Sequence, residues 1–384
     1  MIKKVIYVSF VRLSDKDIRD LYIDYLIGKG AHVEYWDVTS LLFAGQEKTV
    51  INDTDYLRVI TTYHQLEDLL RRPENRGAFY MMAVTFAGFA MDLYRLISKY
   101  KCRTLYIVWG AVPVNPLNKW IRLSQIFSNP VGIAKHFYFR QKAALYRRLK
   151  LVKPFDIIFA GGEFMQAHNQ FAARVISINS SDYDQYRQVK LANSPPLVEG
   201  RYAVFLDVYL TDHPDNKVMG WSRIAPDPYF GALNRFFERL EEKFGIEIVI
   251  AAHPKADYRN INPFNGRRII QNCTPQLVKD CTFVVSHSSL SQSQAVLNQK
   301  PILFVYTTEM TSVYKHTYVN EIYDAAAYLD AALYNIDEIY SNDQIDLKKV
   351  DLVRYENYKY SFLVSRESEH KATSEIFWDA IKNG

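Results

Sequence analysis

A chain of 384 residues exceeds what one hydrophobic core usually spans, so two domains are the expectation. A composition that is 48% hydrophobic and 23% charged belongs to a globular protein with a sizeable core, and the net charge of +5 is modest. The three cysteines, Cys102, Cys273 and Cys281, have neither CxxC nor Cys/His spacing, which favours free thiols in a reducing compartment over disulfides or a zinc site.

The opening "MIKKVIYVSF" has two lysines before a short apolar run and reads as a first strand, not as a signal peptide. Ser14 is the N-cap of a helix expected over "SDKDIRDLYIDYLIGKG", with Gly28 and Gly30 at its end. "AHVEYWDV" follows as a strand and "TTYHQLEDLLRR" as a helix. The runs 78–86, 103–110 and 155–162 are continuously apolar and bounded by glycine, as expected of parallel strands covered on both faces. "MDLYRLISKY" and "GIAKHFYFRQKAALYRRLKLV" are the helices between them. No stretch approaches the roughly 18 apolar residues needed to cross a bilayer, so a cytoplasmic protein is expected.

Charge is unevenly placed, with no acidic residue between Asp92 and Asp156. Segment 119–153 interleaves Lys119, Arg122, Lys135, Arg140, Lys142, Arg147, Arg148, Lys150 and Lys153 with Trp120, Phe127, Phe137, Tyr138, Phe139 and Tyr146. Such a surface would suit anionic lipid at the inner face of the cytoplasmic membrane, or an anionic glycan. It equally fits a solvated helical face whose stems pack on a core. No nucleic-acid motif accompanies it, and nucleic acid ranks last.

The pattern breaks at "LANSPPLVEG" (191–200), the best linker candidate. A second series follows: strand "RYAVFLDVYL", helix "PYFGALNRFFERLEEKFG", strand "IEIVIAAHP", strand "RRIIQ", helix "TPQLVKDC", strand "TFVVSH", helix "LSQSQAVLN" and strand "PILFVY". The tail from Tyr355 to Asn383 reads as helix. The expected organisation is therefore an α/β protein of two Rossmann-like domains facing an interdomain cleft, 1–195 for the acceptor and 196–355 for a nucleotide sugar, with 356–384 as a terminal helix returning to the first domain. In such sheets ligands bind beyond the carboxyl ends of the strands, so residues just after each strand carry the argument.

Asp207 sits among apolar neighbours in "VFLDVYL", where a carboxylate is costly without partners and its pKa tends upward. It is either a nucleophile or base, or a structural aspartate bonded to backbone N–H groups; Asp212 in the loop beyond can exchange roles with it. His253 follows an apolar strand directly, and Pro254 stops the ladder there. Its imidazole either serves a leaving phosphate or simply packs at the strand end. Ser288 and Ser289 precede a helix whose first-turn N–H groups favour an anion, although one serine as N-cap would also be ordinary. Ser291 and Ser293 read as exposed helix residues. Glu163, after the Gly161-Gly162 pair, can reach into a cleft from the first domain. The DxD pattern of Asp182 and Asp184 reads as loop, so no metal site is expected. There is no GxGxxG and no P-loop.

A His-Pro at one strand end and a Ser-Ser at a strand-to-helix junction 35 residues later resemble motifs of bacterial GT-B glycosyltransferases that use CMP-activated acidic sugars. These are the sialyltransferases, the polysialyltransferases and the Kdo transferases of capsule, O-antigen and lipopolysaccharide assembly. The resemblance covers mainly 200–305, through "AAHPK" and "SHSSLSQSQAVLNQKPILF". It implies that His253 contacts the CMP phosphate and aids its departure, and that Ser288 and Ser289 bind the same phosphate. The acidic motif ending in Gly that the sialyltransferases carry is absent before His253, and "FLDVYLTDHPD" is more similar to the Kdo side. Kdo is thus the expected donor sugar, with Asp207 as nucleophile or base. Lys255 would bind the donor carboxylate or phosphate, and Glu163 would serve as acceptor base. The acceptor would be a surface glycan or glycolipid, with no cofactor and no metal ion. The alternatives are a CMP-nonulosonic acid transferase, a UDP- or GDP-sugar GT-B enzyme, and a non-catalytic sugar-binding protein.

Overall fold

The computed structural model describes residues 3–43, 54–108, 113, 130–168, 171–212, 222–314 and 318–383. The chain forms two compact units, one from the described residues of 1–109, 125–181 and 364–384, the other from those of 110–124 and 182–363. The divisions fall at 181/182 and 363/364 rather than at the expected 195/196 and 355/356. Helix Ser181–Ala192 accordingly belongs with the second unit, where Ser293 Oγ donates to Asp182 Oδ2 at 2.8 Å.

The first unit holds seven parallel strands: β1 (Lys4–Ser9), β2 (His32–Asp37), β3 (Leu57–Val59), β4 (Phe79–Ala83), β5 (Arg103–Val108), β6 (Phe155–Gly161) and β7 (Ala172–Ile178). Their order is β3-β2-β1-β4-β5-β6-β7. The unbroken apolar runs have a simple cause. Val5, Tyr7, Phe79 and Met81 enter one core cluster, while Ile6, Val8, Tyr80 and Met82 enter the other, so both faces of the period-2 strand are covered. Gly88 lets helix Pro130–Arg148 lie against its backbone, since a Cβ there would come closer than 3.0 Å to the main chain of Phe139.

The tail departs from the single helix expected over 355–383. Helix Leu352–Tyr358 continues as a π-turn to Leu363, a connection follows, and helix Thr373–Lys382 closes the chain. Ser365 and Ser368 exchange side-chain and backbone hydrogen bonds in that connection, a local pairing that competes with the helix ladder. The last helix buries Phe377 and Ile381 in the first unit's core with Tyr7 and Phe159.

The second unit contains β8 (Tyr202–Leu206), β9 (Glu247–Ala252), β10 (Ile269–Gln271), β11 (Val284–Ser286), β12 (Ile302–Tyr306) and β13 (Ala332–Asn335). All are parallel, in the order β10-β9-β8-β11-β12-β13. From β8 the chain winds outward through β9 to β10, then returns to β11 on the other side of β8 and winds the opposite way. The topological switch point therefore lies between β8 and β11. Helix Pro226–Phe244 covers the sheet with Leu233, Phe236, Phe237 and Leu240, and ends at Gly245, whose φ of 59° is the left-handed cap that glycine adopts without strain.

Candidate functional site

Because open parallel sheets bind ligands beyond the carboxyl ends of their strands at the switch point, the ends of β8, β11 and β9 define the candidate site. Leu206 of β8 stands in register with Ala251 of β9 and with Ser286 of β11. The sheet therefore brings Asp207, His253 and the Ser286–Ser289 turn to one edge, although 82 residues of sequence separate the first from the last.

Asp207 is buried, and donors reach both carboxylate oxygens. Tyr209 N–H donates to Oδ1 at 2.9 Å, while His253 N–H and the Tyr258 hydroxyl donate to Oδ2 at 3.2 and 3.0 Å. Burial raises its pKa, and these hydrogen bonds work in the opposite direction. Through these bonds the carboxylate ties the end of β8 to the turn that follows β9. Burial, then the Asp207 charge, raises the pKa of Tyr258 and keeps its hydroxyl a donor.

His253 is half-buried. Its Nδ1 accepts the Lys255 N–H at 3.1 Å, so the proton of the neutral ring sits on Nε2, the tautomer that donates to an anion. Gln271, a residue the sequence did not flag, holds the turn in place: its Nε2 lies within hydrogen-bond distance of the carbonyls of His253, Pro254 and Ala256, at 2.9, 3.0 and 3.0 Å. Lys255 is exposed.

The serine turn differs from expectation in one respect that matters. The helix begins at Gln292, not Leu290, and runs only to Leu297. Its first amides are already engaged: Gln292, Ser293 and Gln294 donate to the carbonyls of Ser289, Leu290 and Ser291. Unpaired helix-start amides therefore do not make an anion site here. The hydroxyls remain. Ser286 Oγ and Ser288 Oγ are both buried without a hydrogen-bond partner. Ser289 is only half-buried, and its Oγ accepts from Ser291 N–H at 3.3 Å. Tyr318 secures the turn by accepting from Ser288 N–H at 3.1 Å and donating to Ser288 C=O. Ser293, expected to be exposed, is fully buried against Asp182.

Between the serines lies His287, with no solvent exposure. Its Nδ1 pairs with the Val305 carbonyl at 2.7 Å and its Nε2 with the Tyr229 hydroxyl at 2.8 Å. A carbonyl only accepts, so Nδ1 carries the proton and Nε2 accepts from Tyr229. Burial pushes the imidazole down to about 4, against a smaller opposing effect of the Val305 carbonyl, and the ring is neutral.

The other sequence candidates do not stand on these three strand ends. Glu163 is exposed in the first turn of helix Gly162–His168, after β6 in the first unit. Asp212 is mostly exposed, with its Oδ1 3.7 Å from Arg223. Asp182 and Asp184, read as loop, open helix Ser181–Ala192. His213 and Asp215, in the "FLDVYLTDHPD" stretch, fall outside the described residues, as does the whole of 114–129, which includes Lys119, Trp120, Arg122 and Phe127. Among the described residues no cluster of three or more His, Cys, Asp or Glu side chains is placed to hold a metal ion, and no helix is long and apolar enough to cross a membrane.

No family model and no curated protein sequence matches the chain. Among solved structures it aligns with the calicheamicin glycosyltransferase CalG4 at a TM-score of 0.52 and 8% identity, over 100% of this chain and 98% of that one. It also aligns with the UDP-GlcNAc 2-epimerase of Methanocaldococcus jannaschii in complex with UDP-GlcNAc and UDP, at 0.49 and 11%, over 100% of both chains. The H548A variant of the wall teichoic acid polymerase TagF follows at 0.49 and 12%, over 99% of this chain and 89% of that one. The likeness to CalG4 is one of fold: two Rossmann-like α/β domains of the GT-B type.

Proposed function

We propose that this protein is a glycosyltransferase that takes its sugar from a nucleotide-activated donor and holds the donor phosphate at the β8/β11 switch point. The observation that carries the reading is the pair of buried, unpartnered hydroxyls of Ser286 and Ser288 at that point. A phosphate oxygen supplies the acceptor that buried hydroxyls otherwise lack. His253 adds an Nε2–H donor one strand beyond β8, and its hydrogen bond to the departing phosphate stabilises the negative charge that develops there, which lowers the barrier to glycosyl transfer. Asp207 acts in this reading as a positioning residue that fixes the His253 backbone, in place of the nucleophile expected from sequence. Glu163 is the proposed base for the acceptor hydroxyl.

The donor is proposed to be a nucleoside diphosphate sugar of the UDP or GDP class. His253 and Ser288 follow β9 and β11, the strands on either side of β8, and at the sheet those strands are two spacings apart, about 10 Å. That span suits a diphosphate linkage better than a single phosphate. A CMP-linked acidic sugar, Kdo or a nonulosonic acid, is the second reading, favoured by the His253-Pro254 and Ser288-Ser289 motifs; Lys255 would then meet the donor carboxylate. Thermal melting with UDP, GDP and CMP separates them. A nucleotide at 100 times its Kd stabilises the folded protein by about 2.7 kcal/mol. UDP or GDP should raise Tm, less so in His253→Ala and in Ser286→Ala/Ser288→Ala. A response to CMP alone selects the second reading. No response to any nucleotide, or an undiminished one in the variants, refutes the donor site.

A further inference from the structure

Helix Pro130–Arg148 has an inner side with partners and an outer side without them. On the inner side Ala143 enters the core of the first unit, Lys142 and Tyr146 bond Asp92 at 3.0 and 2.9 Å, and Arg147 lies over the rings of Phe86 and Phe171. On the outer side Phe137, Tyr138, Leu145 and Leu149 are 61%, 60%, 51% and 57% exposed. Positions 137/138, 141, 145 and 148/149 recur at intervals of three and four, so these side chains form one stripe about 18 Å long that runs just past the helix end, with Gln141 and Arg148 among its apolar residues. Isolated exposed apolar residues are ordinary; four in register on one helix are not.

The helix itself carries no acidic side chain, and the Asp92 carboxylate that reaches it is taken up by Lys142 and Tyr146. Arg140 and Arg148 are exposed, neither has an acidic partner among the described residues, and Lys150 stands just beyond the helix. The sequence supplies no acidic residue from 93 to 155. A second copy of the chain would set these cations against their own images, which disfavours a symmetric dimer through the stripe. Apolar side chains with unpaired cations in and beside their stripe match a bilayer surface instead. Aromatic and leucine side chains enter the boundary between headgroups and acyl chains, while arginines remain at the level of anionic headgroups.

We propose that the outer face of helix Pro130–Arg148 is a docking surface for a membrane bearing anionic lipid, with Phe137, Tyr138, Leu145 and Leu149 inserted and Arg140 and Arg148 on the headgroups. This stands independently of the donor-site reading. Co-sedimentation of the full chain with phosphatidylcholine vesicles, with and without phosphatidylglycerol, tests it. The protein should bind the anionic vesicles and release from them as salt rises. Phe137→Ser/Leu145→Ser should weaken the partition at least tenfold, and Arg140→Gln/Arg148→Gln by roughly fivefold for each charge removed. Both double variants alter exposed positions and should melt at the wild-type temperature, which controls for folding. Three results overturn the proposal: no binding to anionic vesicles, binding unchanged in both variants, or a concentration-dependent dimer that Phe137→Ser/Leu145→Ser dissociates.

Discussion

Acid should weaken the second unit through His287. The ring is fully enclosed, with Tyr229 and Val305 on its nitrogens and Phe205 edge-on at 5.5 Å, and its pKa falls from 6.5 to about 4. A depressed pKa means that the unfolded chain takes up a proton in this window and the folded chain does not. The stability involved is present above pH 6.5 and is lost as pH falls toward 4. At about 1.4 kcal/mol per pH unit, one such histidine accounts for a loss of about 2 kcal/mol between pH 7 and 5, and about 3 kcal/mol by pH 4. Asp207 works against this in part of the same window, because its raised pKa favours the folded state as pH falls. The difference between wild type and His287→Gln therefore carries the test, since Gln keeps a donor and an acceptor without titrating. Urea unfolding, read by hydrogen exchange of the β11 and β12 amides, gives stability at each pH, and NMR of the imidazole protons gives the titration. Equal acid sensitivity in both proteins, or a His287 midpoint near 6.5, refutes the reasoning.

Asp207→Asn separates a girder from a nucleophile. If the carboxylate positions His253, the variant should lose about 1 to 3 kcal/mol of stability through weakened bonds from the His253 and Tyr258 donors. Its effect on kcat/KM should then fall mainly on KM. Abolished turnover with donor affinity intact would return Asp207 to the role expected from sequence. Gly88→Ala should cost about 1 to 3 kcal/mol, measured by thermal or urea unfolding, because the added methyl meets the main chain of Phe139 and the helix must retreat. A neutral effect would show that helix Pro130–Arg148 is not held where the structure places it.

The buried strands were legible in sequence because their runs are apolar on both faces, as Val5 to Val8 and Tyr202 to Leu206 show. The strands that escaped, β3, β7 and β13, all lie at sheet edges, where half-exposed side chains dilute the apolar signal. The helix expected through the tail failed for a local reason, the Ser365–Ser368 pairing, which propensity does not register. The site was partly legible for a similar reason: Asp207, His253 and Ser286–Ser289 each interrupt an apolar run, so their place at a strand mouth needs no tertiary knowledge.

What those residues do was not legible. Local pattern was enough for two α/β series, for the strand ends that matter and for an acid-free segment rich in aromatic and basic residues, whereas the exposure of its helix came from the fold. That β8 lies between β9 and β11 follows from the folded sheet alone. That order converts separate strand ends into one switch point. Partners 46 and 51 residues away, at His253 and Tyr258, then occupy the Asp207 carboxylate, while the Ser286 and Ser288 hydroxyls are buried with no protein partner. Whether a buried polar group is a support or a waiting ligand contact depends on which distant donors reach it, and the chain acquires that property only when the sheet forms.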